Sequence, residues 1–146
     1  DVTIQAQILE LLNDLRGSEG MGMILITHDL GVIARLADRV AVMYAGRIVE
    51  TGSALEVYAS PSHPYTEGLL ASLPRHDNST NTSERLTSIE GQPPNMLDHI
   101  DGCPFAPRCS YVFDKCHNKN PNLFVKENQH QVACWWDIQD ECERNV

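Results

Sequence analysis

The chain has 146 residues and is acidic, with a formal net charge of −9 and a pI of about 5.0. This length fits one ordinary domain or two small ones, and the negative charge argues against nucleic acid, whose protein partners are usually strongly basic. No apolar run reaches the roughly 18 residues that a membrane helix needs, and the first residues lack a signal-peptide pattern. We therefore expect a soluble, intracellular protein that does not bind nucleic acid.

The first predicted element is a helix that fills most of residues 1–16. Apolar side chains recur there at helical spacing and form one stripe: Ile4, Ile8, Leu11, Leu12 and Leu15. Thr3 can cap the start of this helix, and Gly17 can end it.

The next element is an unbroken apolar run, Met23 to Ile26, which predicts a strand buried on both faces. The run stops at Thr27, His28 and Asp29. Open α/β sheets place their ligand sites at the carboxyl ends of such strands. Asp29 can also cap a short helix whose apolar positions are Leu30, Ile33, Leu36 and Ala37.

A β-hairpin is predicted next, because the runs 40–44 and 47–51 are joined by Ala45-Gly46. Ser53 can cap a short helix through Tyr58. Pro64 fits the first turn of a further helix, which is expected to run through Ser72. Residues 76–88 are rich in Asn, Ser and Thr and are typical of an exposed linker.

Two segments resemble a known family. Thr27-His28-Asp29, followed by the residues of 38–52, resembles the end of the nucleotide-binding domain of ABC transporter ATPases. Residues 60–66, Ser-Pro-Ser-His-Pro-Tyr-Thr, resemble the His-Pro-Tyr segment of oligopeptide and dipeptide transporter ATPases. The resemblance implies an α/β fold, namely the C-terminal fragment of a P-loop ABC ATPase domain (a strand, a helix, a hairpin and further helices) followed by a small, irregular cysteine-rich region.

The resemblance also implies a division of the chain and roles for two residues. Residues 1–75 would close the nucleotide-binding domain, 76–100 would be a linker, and 101–146 would form the cysteine-rich region. His28 would be the switch histidine that reaches the γ-phosphate of ATP. Asp1 would face a partner ATPase subunit, although it can equally be a terminal residue that favours a helix start.

The chain contains no Gly-x-x-x-x-Gly-Lys-Ser/Thr segment, so it lacks the amide cradle and the lysine that hold phosphates. The catalytic glutamate that precedes the switch histidine in the family is also missing. We therefore expect ATP and Mg to act in a longer parent enzyme. The chain alone is expected neither to bind ATP tightly nor to hydrolyse it.

Five cysteines lie in the last third of the chain, and four of them have the spacing C-x5-C-x6-C-x17-C: Cys103, Cys109, Cys116 and Cys134. This spacing lacks the close Cys-x-x-Cys pairs that are usual in structural zinc sites. The four match an iron–sulfur site that some peptide-transporter ATPases carry here, so a [4Fe–4S] cluster is favoured over zinc, and buried reduced thiols are the remaining alternative. Metal binding can supply on the order of 10 kcal/mol to such a core-poor segment. Cys142 is expected to be a bystander, and His117 and His130 to be surface side chains.

The partners implied by the resemblance are a second ABC ATPase subunit, two membrane permease subunits and, indirectly, an extracytoplasmic peptide-binding protein. The protein would then lie peripherally at the cytoplasmic face of the cell membrane. The open edge of the strand 23–26 predicts that the fragment dimerises or swaps segments. The alternative function is a stand-alone iron–sulfur or zinc module with a structural or redox-sensing role.

Overall fold

The computed structural model describes residues 2–73, 88–95, 97 and 99–144. The chain divides into two compact units, Asp1–Leu36 and Ala37–Val146. Within the described ranges, no helix is both long enough and apolar enough to cross a membrane.

The first unit contains two helices, α1 (Val2–Glu19) and α2 (Leu30–Leu36). The predicted end of α1 at Gly17 is wrong, because the helix continues to Glu19 and the backbone turns at Gly20, where φ is +64°. A glycine tolerates this left-handed conformation without the steric cost that a Cβ would bring. The guanidinium of Arg16 donates to the carbonyl of Leu36 at 3.1 Å and so connects the two helices.

The predicted cap of α2 is confirmed. The Asp29 carboxylate accepts the amide hydrogens of Gly31 at 2.9 Å and Val32 at 3.2 Å, which satisfies two otherwise unpaired donors of the first turn.

The strand predicted at 23–26 is wrong as far as the described residues go: the segment has no regular structure, and Ile24 and Ile26 are 93% and 94% exposed. A strand requires a neighbour that accepts and donates its ladder hydrogen bonds. No described residue pairs with this segment, so its apolar composition alone does not produce a strand.

The second unit is built on a four-stranded antiparallel sheet in the order β1-β2-β4-β3. Its strands are β1 (Arg39–Tyr44), β2 (Arg47–Ser53), β3 (Phe124–Glu127) and β4 (His130–Val132). The predicted hairpin is confirmed: Ala45 and Gly46 join β1 to β2 with φ of +47° and +74°. Two consecutive residues with positive φ are typical of the turn whose twist matches a hairpin.

Both helices predicted after the hairpin are confirmed as α3 (Ala54–Ala59) and α4 (Pro64–Ala71). Ser53 and Glu56 form a reciprocal capping box at the start of α3. Pro64 occupies the first turn of α4, where its missing N–H costs nothing. A short helix, α5 (Asp114–Asn118), and a two-stranded sheet of β5 (Trp136–Asp137) and β6 (Cys142–Glu143) follow.

The cysteine-rich region contributes more regular structure than we expected from the sequence. Its β4 pairs with β2 through Glu50–Val132 and Thr51–Gln131, so the region shares one sheet with the hairpin. Val132 is fully buried, and Trp135 is 5% exposed. The fold is therefore mixed α and β with antiparallel sheets. Most of the predicted linker, residues 76–87, lies outside the described residues.

Candidate functional site

The centre of the second unit is the carboxylate of Glu50, which is fully buried. Glu50 lies on β2 opposite Val42, a buried residue of β1, so its side chain points into the protein. Its two oxygens accept the amide hydrogens of Ser62 at 2.7 Å and His63 at 3.0 Å. A buried charge is stable only when it is well paired, and these amides provide part of that pairing.

The third partner of Glu50 is His130, whose Nε2 lies 2.7 Å from Oε1 of the carboxylate. Because an ionised carboxylate has no hydrogen to donate, the ring nitrogen is the donor. The prediction that His130 is a surface side chain is wrong, since it is 5% exposed. Glu50 thus joins β2, the turn before α4 and β4 at one point. We call Glu50, Ser62, His63 and His130 the Glu50 cluster.

One pattern in the sequence indicates that Glu50 is buried. Val40, Val42 and Tyr44 alternate inward along β1, and a hairpin register places Glu50 across from Val42. A carboxylate at an inward position requires buried donors. The identity of those donors could not be read from the pattern, because His130 is 80 residues away in the chain.

The His-Pro-Tyr turn is fixed by His63 as well as by Glu50. His63 is 1% exposed and precedes α4 as its N-cap, with Nδ1 accepting the amide hydrogen of Tyr65 at 3.0 Å. Burial lowers the pKa of His63 to about 3, and the positive charge of Arg144 acts in the same direction. The ring is therefore neutral near pH 7, with Nε2 carrying its proton.

An aromatic cluster packs the cysteine-rich region against this turn. The rings of Tyr44, Tyr65 and Phe105 have centroid distances of 4.7–5.5 Å, and Phe105 also contacts His63. Arg108 donates to the hydroxyl of Tyr44 at 3.3 Å. Aromatic pairs of this kind add about 0.5–1.5 kcal/mol each beyond area burial.

The four predicted ligands, Cys103, Cys109, Cys116 and Cys134, border one small cavity of about 10 Å³, which His63 and Trp136 also line. The backbone brings them together, because the amide of Cys103 donates to the carbonyl of Cys116 at 2.8 Å. Cys142 is exposed and does not line this cavity.

Burial disfavours the thiolate form at three of these cysteines, Cys103, Cys109 and Cys134. Burial raises the pKa of Cys109 to about 11 and that of Cys134 to about 12, and it also raises the pKa of Cys103. Neutral thiols are poor nucleophiles, since the thiolate is the reactive form.

A set of four thiols suits zinc or iron–sulfur chemistry. Among the described residues, however, no group of three or more His, Cys, Asp or Glu side chains is arranged so that it could hold a metal ion. A cavity of this size admits about one water-sized sphere. The donors therefore fit a metal by their chemistry and not by their present spacing.

The remaining predicted site residues lie in the first unit. His28 is exposed and stands between Thr27 and Asp29, where the Thr27 hydroxyl accepts the amide hydrogen of Asp29 at 3.0 Å. Asp1 lies outside the described residues. The role of His28 stays a prediction.

Comparison with known families finds that residues 49–116 match the family described as "Oligopeptide/dipeptide transporter, C-terminal region". The matched range contains Glu50, the His-Pro-Tyr turn and the first three cavity cysteines. The resemblance inferred from the sequence is thereby confirmed: this part of the chain is similar to the C-terminal region of oligopeptide/dipeptide transporters.

Individual relatives agree. A putative peptide import ATP-binding protein of Brucella ovis is 48% identical over 143 residues, which cover 94% of this chain and 42% of the relative. The dipeptide transport ATP-binding protein DppD of Bacillus subtilis is 48% identical over 141 residues, covering 97% and 41%. The oligopeptide transport ATP-binding protein OppD of Mycobacterium tuberculosis is 48% identical over 134 residues, covering 92% and 22%. The chain thus spans less than half the length of these relatives.

Proposed function

We propose that this chain is the C-terminal portion of the ATP-hydrolysing subunit that powers peptide import by an ABC transporter. The observation that carries the proposal is the His-Pro-Tyr turn held by the buried Glu50 carboxylate, inside the region that matches the transporter family. The names of the relatives, which are peptide import, dipeptide transport and oligopeptide transport ATP-binding proteins, support the same function.

In this proposal ATP and Mg bind to the complete subunit, and this chain supplies one catalytic group. His28 is the switch histidine, which contacts the γ-phosphate and helps to position the attacking water. Asp1 faces the partner ATPase. The chain by itself does not hydrolyse ATP, because its sequence lacks the phosphate-binding loop.

The complete subunit pairs with a second ATPase subunit and acts on two membrane permease subunits, which receive peptide from an extracytoplasmic binding protein. It lies at the cytoplasmic face of the membrane as a peripheral protein. The division into 1–75, 76–100 and 101–146 belongs to this proposal. So does the expectation that the isolated chain dimerises or swaps segments through its exposed apolar residues near 23–26.

A chimera tests the function directly. Residues 1–146 replace the aligned segment of DppD from Bacillus subtilis, to which they are 48% identical, and ATPase activity and dipeptide uptake are measured in a strain lacking DppD. We expect both activities to be restored. His28→Ala in the chimera should lower turnover about 100-fold, as expected for loss of one preorganised hydrogen-bonding group at a transition state, while ATP binding persists.

A matched control is His117→Ala, since His117 is also exposed but lies in the other unit. A chimera that folds and assembles yet supports no uptake would refute the transport proposal. Normal turnover of the His28→Ala chimera would refute the switch role alone.

A second candidate function rests on the shared cavity of the four cysteines. In it, Cys103, Cys109, Cys116 and Cys134 hold a [4Fe–4S] cluster or, alternatively, zinc, as a structural or redox-sensing module. A bound metal would add cross-links to a segment that otherwise relies on a few buried aromatic side chains. Because burial raises the pKa of Cys103, Cys109 and Cys134 and the four side chains are unsuitably spaced, binding would require loss of protons from these thiols and a shift of the loops.

Metal analysis of anaerobically purified protein tests this candidate. An iron–sulfur cluster gives a brown protein with equimolar iron and sulfide, and zinc gives a colourless one. Any of the four Cys→Ser changes should abolish the metal, and Cys142→Ser should leave it in place. The site would be refuted if protein made under these conditions contained no stoichiometric metal. It would also be refuted if all four variants retained their metal.

A further inference from the structure

A second, larger cavity of about 280 Å³ lies in the second unit, where the start of β2 meets the loops 103–105 and 120–123. Its walls are of two kinds. Arg47, Asn120 and Asn122 supply polar groups, and Ile48, Phe105 and Leu123 supply apolar surface. This combination, apolar walls with a few polar groups, is typical of small-molecule sites.

The charge of the cavity favours an anion. Among the described residues, the guanidinium of Arg47 has no hydrogen-bond or ion-pair partner, and no Asp or Glu lines the cavity. This is unusual in a chain whose formal net charge is −9. A guanidinium presents its N–H donors in a planar fork that matches a carboxylate.

The amide groups of the cavity define a second requirement. The carboxamides of Asn120 and Asn122 make no hydrogen bond to any described residue, and each can both donate and accept. Asn120 is half-buried at the cavity wall. Such groups pair well with a ligand amide, which also donates and accepts.

We propose that this cavity binds a small molecule that combines a carboxylate, an amide and a short apolar side chain, the chemistry of an N-acylated amino acid or of the carboxyl end of a short peptide. The carboxylate pairs with Arg47, the amide with Asn120 and Asn122, and the side chain packs on Ile48, Phe105 and Leu123. The site does not depend on ATP or on the transport function. It adjoins the cysteine cavity, which Cys103 and Phe105 also line.

Isothermal titration calorimetry of the 146-residue chain with N-acetyl-leucine tests the site, with neutral N-acetyl-leucinamide as the matched ligand. We expect saturable binding of the acid and at least about tenfold weaker binding of the amide, because a hydrogen bond to a charged group is lost. Arg47→Gln should weaken binding of the acid by a similar factor. Leu123→Asp should do the same by placing a carboxylate beside the ligand.

Arg35→Gln is the control variant. Arg35 is also exposed, and its substitution removes the same charge from the first unit. Circular dichroism should show that all variants are folded, because the side chains changed are partly or fully exposed. Amide chemical shifts should move at 47–49 and at 120, 122 and 123, since Pro121 has no amide hydrogen. Absence of saturable binding to the wild-type chain at millimolar ligand, unchanged affinity in Arg47→Gln, or shifts confined to other residues would each overturn the proposal.

Discussion

Glu50→Gln is the most informative perturbation of this fold. The substitution keeps the size of the side chain and one acceptor oxygen, but it replaces the other oxygen with an NH₂ group. In the present geometry Oε1 serves Ser62 and His130, and Oε2 serves His63. Whichever way the amide is oriented, at least one buried N–H then faces another donor.

The expected cost follows from these contacts. A hydrogen bond to a charged group contributes about 1.5–3 kcal/mol, and a buried donor left without a partner costs about 1–3 kcal/mol. We therefore expect Glu50→Gln to lower the free energy of unfolding by about 2–3 kcal/mol. Glu50→Ala leaves all three donors unpaired, and we expect it to cost about 3–5 kcal/mol, as when one member of a buried pair is removed.

Urea unfolding followed by the fluorescence of Trp135 and Trp136 measures both effects, since Trp135 lies just beyond β4 and is 5% exposed. Glu90→Gln is the control, because its side chain is exposed and has no described partner; its unfolding free energy should match that of the wild type within about 0.5 kcal/mol. If Glu50→Gln were equally neutral, the Glu50 cluster would not be what joins β2, the His-Pro-Tyr turn and β4.

Three further predictions concern pH, glycine positions and thiol reactivity. The pKa of His63 is lowered from 6.5 to about 3 in the folded chain, so its contribution to stability is complete above pH 6.5 and is lost as the pH falls toward 3. His63→Asn should therefore reduce the loss of urea resistance between pH 7 and pH 4. An unchanged pH dependence would contradict this. Gly46→Ala should destabilise the hairpin by about 1 kcal/mol because φ is +74° at this residue. Gly17 lies inside α1 with open space around it, so Gly17→Ala should stabilise the helix by up to about 1 kcal/mol. Circular dichroism on heating measures both effects, and the opposite signs would refute the backbone argument. Iodoacetamide at pH 8 should label the exposed Cys142 first and Cys134 last, because the pKa of Cys134 is raised to about 12. Mass spectrometry measures the order of labelling. The reverse order would be inconsistent with the burial of the cavity thiols.

Elements with short-range signals could be predicted from the sequence. Ala45-Gly46 specifies the hairpin turn, Ser53 and Glu56 form a cap within one helical turn, and Pro64 starts α4. In each case the groups that interact are at most a few residues apart, so the local sequence contains the whole interaction. The resemblance of residues 60–66 to the transporter family was likewise readable from consecutive residues.

Elements that depend on distant partners were decided by the tertiary structure. The apolar run 23–26 predicted a strand, but no described residue pairs with it, and a strand cannot form from its composition alone. β4 was missed because its three residues become a strand only when they pair with β2 and β3.

His130 shows the same limit within the candidate site. Nothing near it in the sequence distinguishes it from a surface histidine, and it is buried because the fold places it against Glu50, 80 residues earlier. The sequence by itself determined the hairpin turn, the caps of α2 and α3 and the family resemblance, since these depend on neighbouring residues. The tertiary structure decided which polar side chains are buried, because the partner that compensates a buried charge is found only after distant strands have come together.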